Sequence, residues 1–453
     1  MAVILFGSVY SQTQISGSVM DSGSMEAIPG VNVIIDGTNI GTVTDFDGNF
    51  VINTSQGAPL TLIVSYMGYS AERVSVTSAN QNMDLLKKAS LFKNSIFLNV
   101  SVSIICFIVL FLSSGLLKYM HQPEDVIKLA VPFFNVLIFS MIPISLFFTC
   151  KQYCEGLSNT RMALFISIIG NVINIVLNYL LIYGKFGFPE LGYIGSAWAS
   201  FISRVFMGFS FLYLIFKSPV TKEISAVYNK VKINKKELFH LAKIGLNAGL
   251  QLTFEVAAFV IAGLMAGTFG KEQIDAHGIA LSIAAFTYMF ASGISSASSI
   301  RVGIYKAQDN WLEIKQAAFS SIKLVMLIMG GFAILFLMIN NFLPKVFSSD
   351  LQIVNLASKL LIIAALFQLF DGIQVTIVGI LRGLEDFKIP TLISLVGYWI
   401  IALPLAYWLA FILKLETVGV WIGLLVSLIF AAIVLFWRLN YLINKNLKIN
   451  NLK

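Results

Sequence analysis

The sequence predicts a mainly α, polytopic membrane protein: about ten transmembrane helices in two pseudo-repeated lobes, the N-terminal lobe incomplete, preceded by a small all-β sandwich. Three observations predict it. Hydrophobic residues make up 57% of the chain and charged residues only 12%, a balance that excludes a soluble globular chain. From Phe92 onward, about ten apolar stretches reach the roughly 20 residues that a helix needs to cross a bilayer. Residues 15–86 follow a different grammar, with short β-branched runs set between turn signals.

Taken in order, residues 1–14 (MAVILFGSVYSQTQ) look like the tail of a signal peptide, with an apolar run and the small Ser11 but no basic start. Residues 15–86 read as a sandwich of about seven strands. Asp36-Gly37 and Asp47-Gly48 are hairpin-type turn pairs. Asp45 and Asp47 sit in TDFDG, where calcium is one reading. An EF-hand loop needs more oxygen ligands at set spacing, so turn-forming aspartates are the reading preferred. Residues 87–230 hold four expected spans, centred near Cys106, Ile138, Ile173 and Val205. Residues 231–453 hold six, centred near Val256, Phe286, Ala333, Phe367, Ile401 and Phe430, with Pro404 expected to kink its span. Seven lysines crowd the Phe216–Lys243 connection, and Arg301, Lys306, Arg382, Lys388 and Arg438 fall in loops on the same side. The positive-inside rule makes that side cytoplasmic.

The second half repeats the first at a constant offset of 227 residues. Gly156, Leu157, Ser167 and Gly170 recur as Gly383, Leu384, Ser394 and Gly397, with Arg161 opposite Lys388. LGYIG (Leu191–Gly195) returns as VGVWIG (Val418–Gly423) with one residue inserted. Such a long period in an apolar chain points to two structural halves around a shared site.

The polar residues inside the spans mark that site. Asp371 lies in the middle of LIIAALFQLFDGIQVTIVGILRGLED, with Gln368 one turn before it and Gln374 one turn after. A carboxylate at that depth costs at least about 2.5 kcal/mol on insertion scales, so intramembrane acids are retained for function. Glu255 is the second such acid, with Gln251 a turn before it. Asn171, Asn174 and Asn178 share one face of their span, where interhelical hydrogen bonding is the plainer reading. His277, at an outer helix end, is expected to serve the interface. Arg204 is the arginine expected inside a span. Cys106, Cys150 and Cys154 match no disulfide or zinc pattern and read as apolar filler. No nucleophile–base pair or metal cluster appears, which disfavours an enzyme. The net charge of +8 lies mainly in loops between spans and does not imply nucleic acid.

Two resemblances add to this. The pattern ISGSV…PGVNVIIDGTNIGTVTDFDGNF…SYMGY resembles the carboxypeptidase-regulatory-like domain, a module that often precedes the plug of TonB-dependent outer-membrane receptors. From Lys88 to the C-terminus, LNYLLIYGKFGFPELGYIGSAWAS, TFEVAAFVIAGLMAG, IDAHGIALSIAAF, SIRVG and FQLFDGIQVTIVGILRGLED resemble the multidrug and toxic compound extrusion (MATE) transporters, nearest their NorM-type bacterial branch. That resemblance implies two six-helix lobes, alternating access, and export of cationic organic compounds across the inner membrane against inflow of Na+ or H+. It implies cation binding by Glu255 and Asp371; the shared helix faces make Gln251, Gln368, Gln374, Asn174 and Asn178 the residues expected to line the cavity or contact substrate. It implies no cofactor beyond the coupling ion, and a monomer in the lipid bilayer. Phe367 departs from the tyrosine common at its position and leaves the ion preference open. Against the family's twelve helices, ten are expected here, the two absent ones both from the N-terminal lobe. The alternatives are a lipid-linked sugar flippase of the same superfamily, a receptor fragment, and a non-functional fusion with a receptor's N-terminal domain.

Overall fold

The computed structural model describes residues 2–10, 12–20, 27–54, 60–66, 71–76, 78–115, 124–157, 159–217 and 227–450. Its first part is a pair of antiparallel sheets. The strands are β1 (Ala2–Tyr10), β2 (Gln12–Met20), β3 (Asn32–Ile35), β4 (Gly41–Val43), β5 (Asn49–Thr54), β6 (Leu60–Ser65) and β7 (Glu72–Val76). One sheet has the order β1-β2-β5 and the other β4-β3-β6-β7. Alternation fixes the register: Val33 pairs with Val64 and Ile35 with Leu62. All four side chains are buried with Ile15, Val19, Ile28, Phe50 and Ile52. A slip of one residue would turn this set to solvent.

The turns carry the chemistry that the aspartates suggest. Gly37 and Gly48 adopt φ of 76° and 74°, a conformation that favours glycine. Asp45 Oδ1 accepts the backbone N–H of Asp47 at 3.0 Å and of Asn49 at 2.8 Å, so this carboxylate holds the turn. Two boundaries differ from expectation. Ala2–Tyr10, expected as a leader-like segment, is strand β1, paired with β2 from Ala2↔Met20 to Tyr10↔Gln12. Its valines, Ile4, Phe6 and Tyr10 suit a pleated strand as well as an apolar leader. At the other end, helix begins at Ser78 rather than after Leu86, because the alternating pattern stops at Val76.

Eleven helices follow among the described residues: α1 (Ser78–Ser113), α2 (Glu124–Phe139), α3 (Met141–Gly156), α4 (Thr160–Tyr183), α5 (Tyr193–Lys217), α6 (Lys235–Gly267), α7 (Lys271–Ala307), α8 (Trp311–Ile339), α9 (Leu351–Gly383), α10 (Lys388–Ile412) and α11 (Glu416–Asn450). Nine of these are long and apolar enough to span a membrane. The pair α2 and α3, bent by 41° at Ser140, brings the number to ten where the bent pair counts as one span. The bend has a cause: Pro143 has no N–H to give the Phe139 carbonyl. Ser140 Oγ donates to Leu137 O at 2.6 Å, and Arg204 donates to Ser140 Oγ. Pro404 acts differently from the expected kink. α10 stays continuous but widens into π-helical turns over Leu395–Ala402 and Trp408–Ile412, on either side of the α-helical Leu403–Tyr407.

The chain divides into two compact units, residues 1–154 with 159–238, and 155–158 with 239–453. In the first, Phe92, Leu146, Phe147, Cys150, Cys154, Phe211 and Ile215 form the helical core, with both cysteines as buried filler. Residues 231–237 of the lysine-rich connection are docked on α1. Asn94 donates to Glu237 at 2.8 Å and accepts from Asn234 N at 3.1 Å, and Lys93 donates to Val231 O at 2.8 Å. In the second, α9 is the axis: α7, α8 and α11 pack around it. Gly379 and Gly383 lie so close to the α7 backbone at Ser295 and Ser299 that neither has room for a Cβ.

The repeat is visible in the geometry of each unit. α3 ends at Gly156 and α9 at Gly383. Close helix contact follows at matching positions in both. A Cβ on Gly195 would lie 2.6 Å from Leu181 O, and one on Gly423 would lie 2.7 Å from Ala406 Cα.

Candidate functional site

Asp371, Gln368 and Gln374 do share a face of α9, and all are buried, at 7%, 1% and 2% exposure. Glu255, half-buried on α6, meets Asp371 at a cavity of about 210 Å³ inside the second unit. The cavity walls are apolar, from Leu252, Val256, Phe259, Leu281, Ala284 and Phe367, and its polar groups are Glu255, Tyr288 and Asp371. Two carboxylates in so apolar a wall repel each other and are poorly solvated. The site is therefore built to attract positive charge.

Three residues that sequence reasoning did not select complete it. Tyr398, 1% exposed, comes from the π-helical part of α10. Gln374 Nε2 donates to its hydroxyl oxygen at 3.1 Å. Tyr288 stands on α7 beside both acids. Arg382, assigned from sequence to a loop, belongs to α9, and its Nη2 donates to Gln251 Oε1 at 3.3 Å. One signal was available for it: Arg382 lies eleven residues after Asp371, three helical turns, and so on the same face. Neither tyrosine had such a signal, since aromatic residues recur throughout the spans.

The remaining predicted residues divide. Gln251 is 3% exposed and tied to Arg382, while both amide atoms of Gln368 and the Oε1 of Gln374 are buried without a partner among the described residues. Asn174 and Asn178 are in the first unit. Asn178 Nδ2 donates to Asn174 O at 2.9 Å, and Asn174 Nδ2 to Ser200 Oγ at 3.4 Å. They are half-buried in the α4–α5 pair. His277 is not interfacial. It is 4% exposed, and its Nδ1 accepts the Trp421 indole N–H at 3.1 Å. A buried indole N–H requires an acceptor, and Gly263 leaves space for the imidazole, whose Nε2 is 3.5 Å from where a Cβ would lie. Trp421 in turn packs on Phe367, ring centroids 5.5 Å apart, and Phe367 on Phe259 at 6.0 Å. In place of a tyrosine hydroxyl, position 367 supplies an apolar wall. Among the described residues no three His, Cys, Asp or Glu side chains cluster, so the charged equipment of the cavity is Glu255, Asp371 and the nearby Arg382.

Solved structures share this architecture. The chain superimposes on the eukaryotic MATE transporter AtDTX14 with a TM-score of 0.71 at 20% identity, over 81% of this chain and 82% of that one. It superimposes on an outward-facing multidrug resistance MATE family transporter of the MOP superfamily with a TM-score of 0.68 at 18% identity, over 80% and 84%. The fold is thus the one these MATE structures have. The sequence relatives agree. Proteins described as probable multidrug resistance protein NorM are 31% identical over 350 residues in Agrobacterium fabrum, covering 75% of this chain and 74% of the relative, and in Bacillus anthracis, covering 76% of each. The MatE family matches residues 61–180 and 248–408, and the chain belongs to that family. A CarboxypepD_reg-like domain matches residues 15–97. Residues 61–97 fall under both matches; the structure gives strands β6 and β7 to the sandwich and 78–97 to α1.

Proposed function

We propose that the chain is a cation-coupled antiporter of the inner membrane that exports cationic organic compounds. The observation that carries this reading is the convergence of Glu255 and Asp371 on one apolar-walled cavity. Na+ or H+ entering from outside binds at the acid pair and reduces its negative charge. That binding stabilises the conformation that releases substrate, since a ligand shifts a conformational equilibrium by its differential affinity for the two states. Return to the inward-open state and loss of the ion complete the cycle. The Tyr288 and Tyr398 hydroxyls and the carboxylates form an all-oxygen set, which suits a hard cation or a proton. Asn174 and Asn178 supply polar groups for substrate in the first unit. A lipid-linked sugar flippase is less suited to this chain: Arg204 is engaged by Ser140, and Arg382 by Gln251.

The test is ethidium efflux from energised vesicles. Asp371→Asn and Glu255→Gln should each abolish ion-driven efflux while the protein stays inserted. Unchanged efflux in both variants would refute the assignment. Running the assay with a sodium gradient alone and a proton gradient alone identifies the ion.

A further inference from the structure

The first unit carries a block of positive charge at one end, and the antiport reading leaves it without a role. Lys230, Lys232, Lys235 and Lys236 are exposed, and hydrogen bonds fix the backbone that bears them. The carbonyl of Val231 accepts from Lys93 Nζ at 2.8 Å, and the same ammonium reaches Tyr228 O at 3.3 Å and lies 4.9 Å over the Tyr228 ring. Asn234 donates its backbone N–H to Asn94 Oδ1 at 3.1 Å. An aromatic cluster ties the same end together. Phe92 of α1 packs on Tyr153 of α3 with centroids 4.4 Å apart and on Tyr228 at 6.1 Å, and Phe216 of α5 packs on Tyr228 at 5.2 Å. Beside that cluster stand three more exposed lysines, Lys87 and Lys88 before Phe92 and Lys217 after Phe216.

The carboxylate within the segment does not balance this charge. Glu237 accepts from Ser90 Oγ and Asn94 Nδ2, both neutral donors. Among the described residues none of these exposed lysines forms an ion pair. Basic residues of the second unit are treated differently: Lys306 is paired with Glu385 and Arg438 with Asp386. Among the free lysines stands the apolar Ile233, 44% exposed. Exposed ammonium groups with an apolar side chain between them suit the boundary between headgroups and acyl chains.

We propose that residues 230–236, held on α1, form a docking surface for anionic phospholipid headgroups. Clusters of about four to eight basic residues directly beside a membrane span attract anionic lipids of the cytoplasmic leaflet, and the positive-inside rule puts this end at that leaflet. Lysine stems lie along apolar surface and carry their ammonium groups out to the phosphates. A zwitterionic headgroup offers them no net charge. The surface is separate from the acid pair, so it stands whether or not Glu255 and Asp371 bind the coupling ion.

The test is lipid binding to the full-length chain in detergent, read by native mass spectrometry over a series of lipid concentrations. Wild type should retain phosphatidylglycerol under conditions in which phosphatidylcholine is lost. The quadruple variant Lys230→Gln/Lys232→Gln/Lys235→Gln/Lys236→Gln should need at least about tenfold more phosphatidylglycerol for half-saturation. Lys271→Gln/Lys345→Gln/Lys359→Gln/Lys414→Gln removes the same charge from exposed lysines near the opposite ends of their spans, and should change that concentration by less than about twofold. Equal weakening by both quadruple variants would mean that net charge alone attracts the lipid. Equal retention of the two lipids by wild type would mean that no headgroup is recognised. Displacement of phosphatidylglycerol by excess inorganic phosphate would mark a site for free phosphate. Any of the three would overturn the proposal. Should the first quadruple variant fail to fold, Lys230→Gln/Lys232→Gln decides in its place, with a weakening of at least about threefold expected and none contradicting the proposal.

Discussion

The two units keep their helices in different company. In the second, 56% of the most apolar stretch of α9 is buried, against 6% for α1 in the first. Ile105, Val109 and Leu112 of α1 face outward, whereas α9 has no exposed residue from Phe367 to Leu381, the stretch that holds Asp371. The difference teaches where a membrane protein can keep charge. A carboxylate needs walls that hold its partners in place, and α9 has them around Asp371. Polar residues of the first unit bond instead to near neighbours: Asn99 of α1 donates to Thr149 of α3 at 2.9 Å, and Asn178 to Asn174 O within α4.

This contrast can be broken at its packing first. Gly379→Ala would push a Cβ into the Ser295 backbone, which cannot rotate away; the expected destabilisation is about 3 kcal/mol. Gly170→Ala in the first unit meets only the flexible end of Met207, and about 1 kcal/mol is expected. Thermal unfolding of the two variants in the same detergent compares them, and an equal loss would show that the first unit is as tightly built as the second. A smaller effect is expected from Trp421→Phe, which removes the donor to His277 and leaves a buried imidazole nitrogen unpaired, a cost of about 1–2 kcal/mol. Its counterpart Asn99→Ala, which ends the bond to Thr149, should cost only about 0.6 kcal/mol, the average for hydrogen bonds between membrane helices. Smallest in stability is Asn178→Ala, whose lost bonds lie within its own helix. It should raise the ethidium concentration for half-maximal efflux and leave ion dependence unchanged, as transport kinetics at several ethidium concentrations would show.

Much of this was legible in the chain because membrane physics is written in composition and spacing. Ten apolar stretches predict ten spans, since a bilayer leaves the backbone no alternative to helix over that length. The DG turns, the repeat glycines and the i, i+3 spacing around Asp371 are local signals and read directly. What escaped was set by tertiary contact. The bend at Ser140 needs Pro143, but its place follows from the Arg204 and Leu137 bonds to Ser140. His277 looked interfacial because nothing in DAHGIAL announces that Trp421, 144 residues on, requires an acceptor. Tyr398, in the π-helical part of α10, meets Gln374, and Arg382 meets Gln251, contacts between helices that no local pattern announces. The strand Ala2–Tyr10 is a choice between two apolar fates that sequence alone does not separate.

The central claim is that coupling resides in the second unit, at Asp371 and Glu255. Its most direct test follows ethidium efflux in vesicles before and after an ion gradient is imposed, with Asp371→Asn and Asn178→Ala side by side. The account predicts that Asn178→Ala still accelerates when the gradient is applied, while Asp371→Asn shows the same rate with and without it. Acceleration in Asp371→Asn equal to wild type would contradict the account.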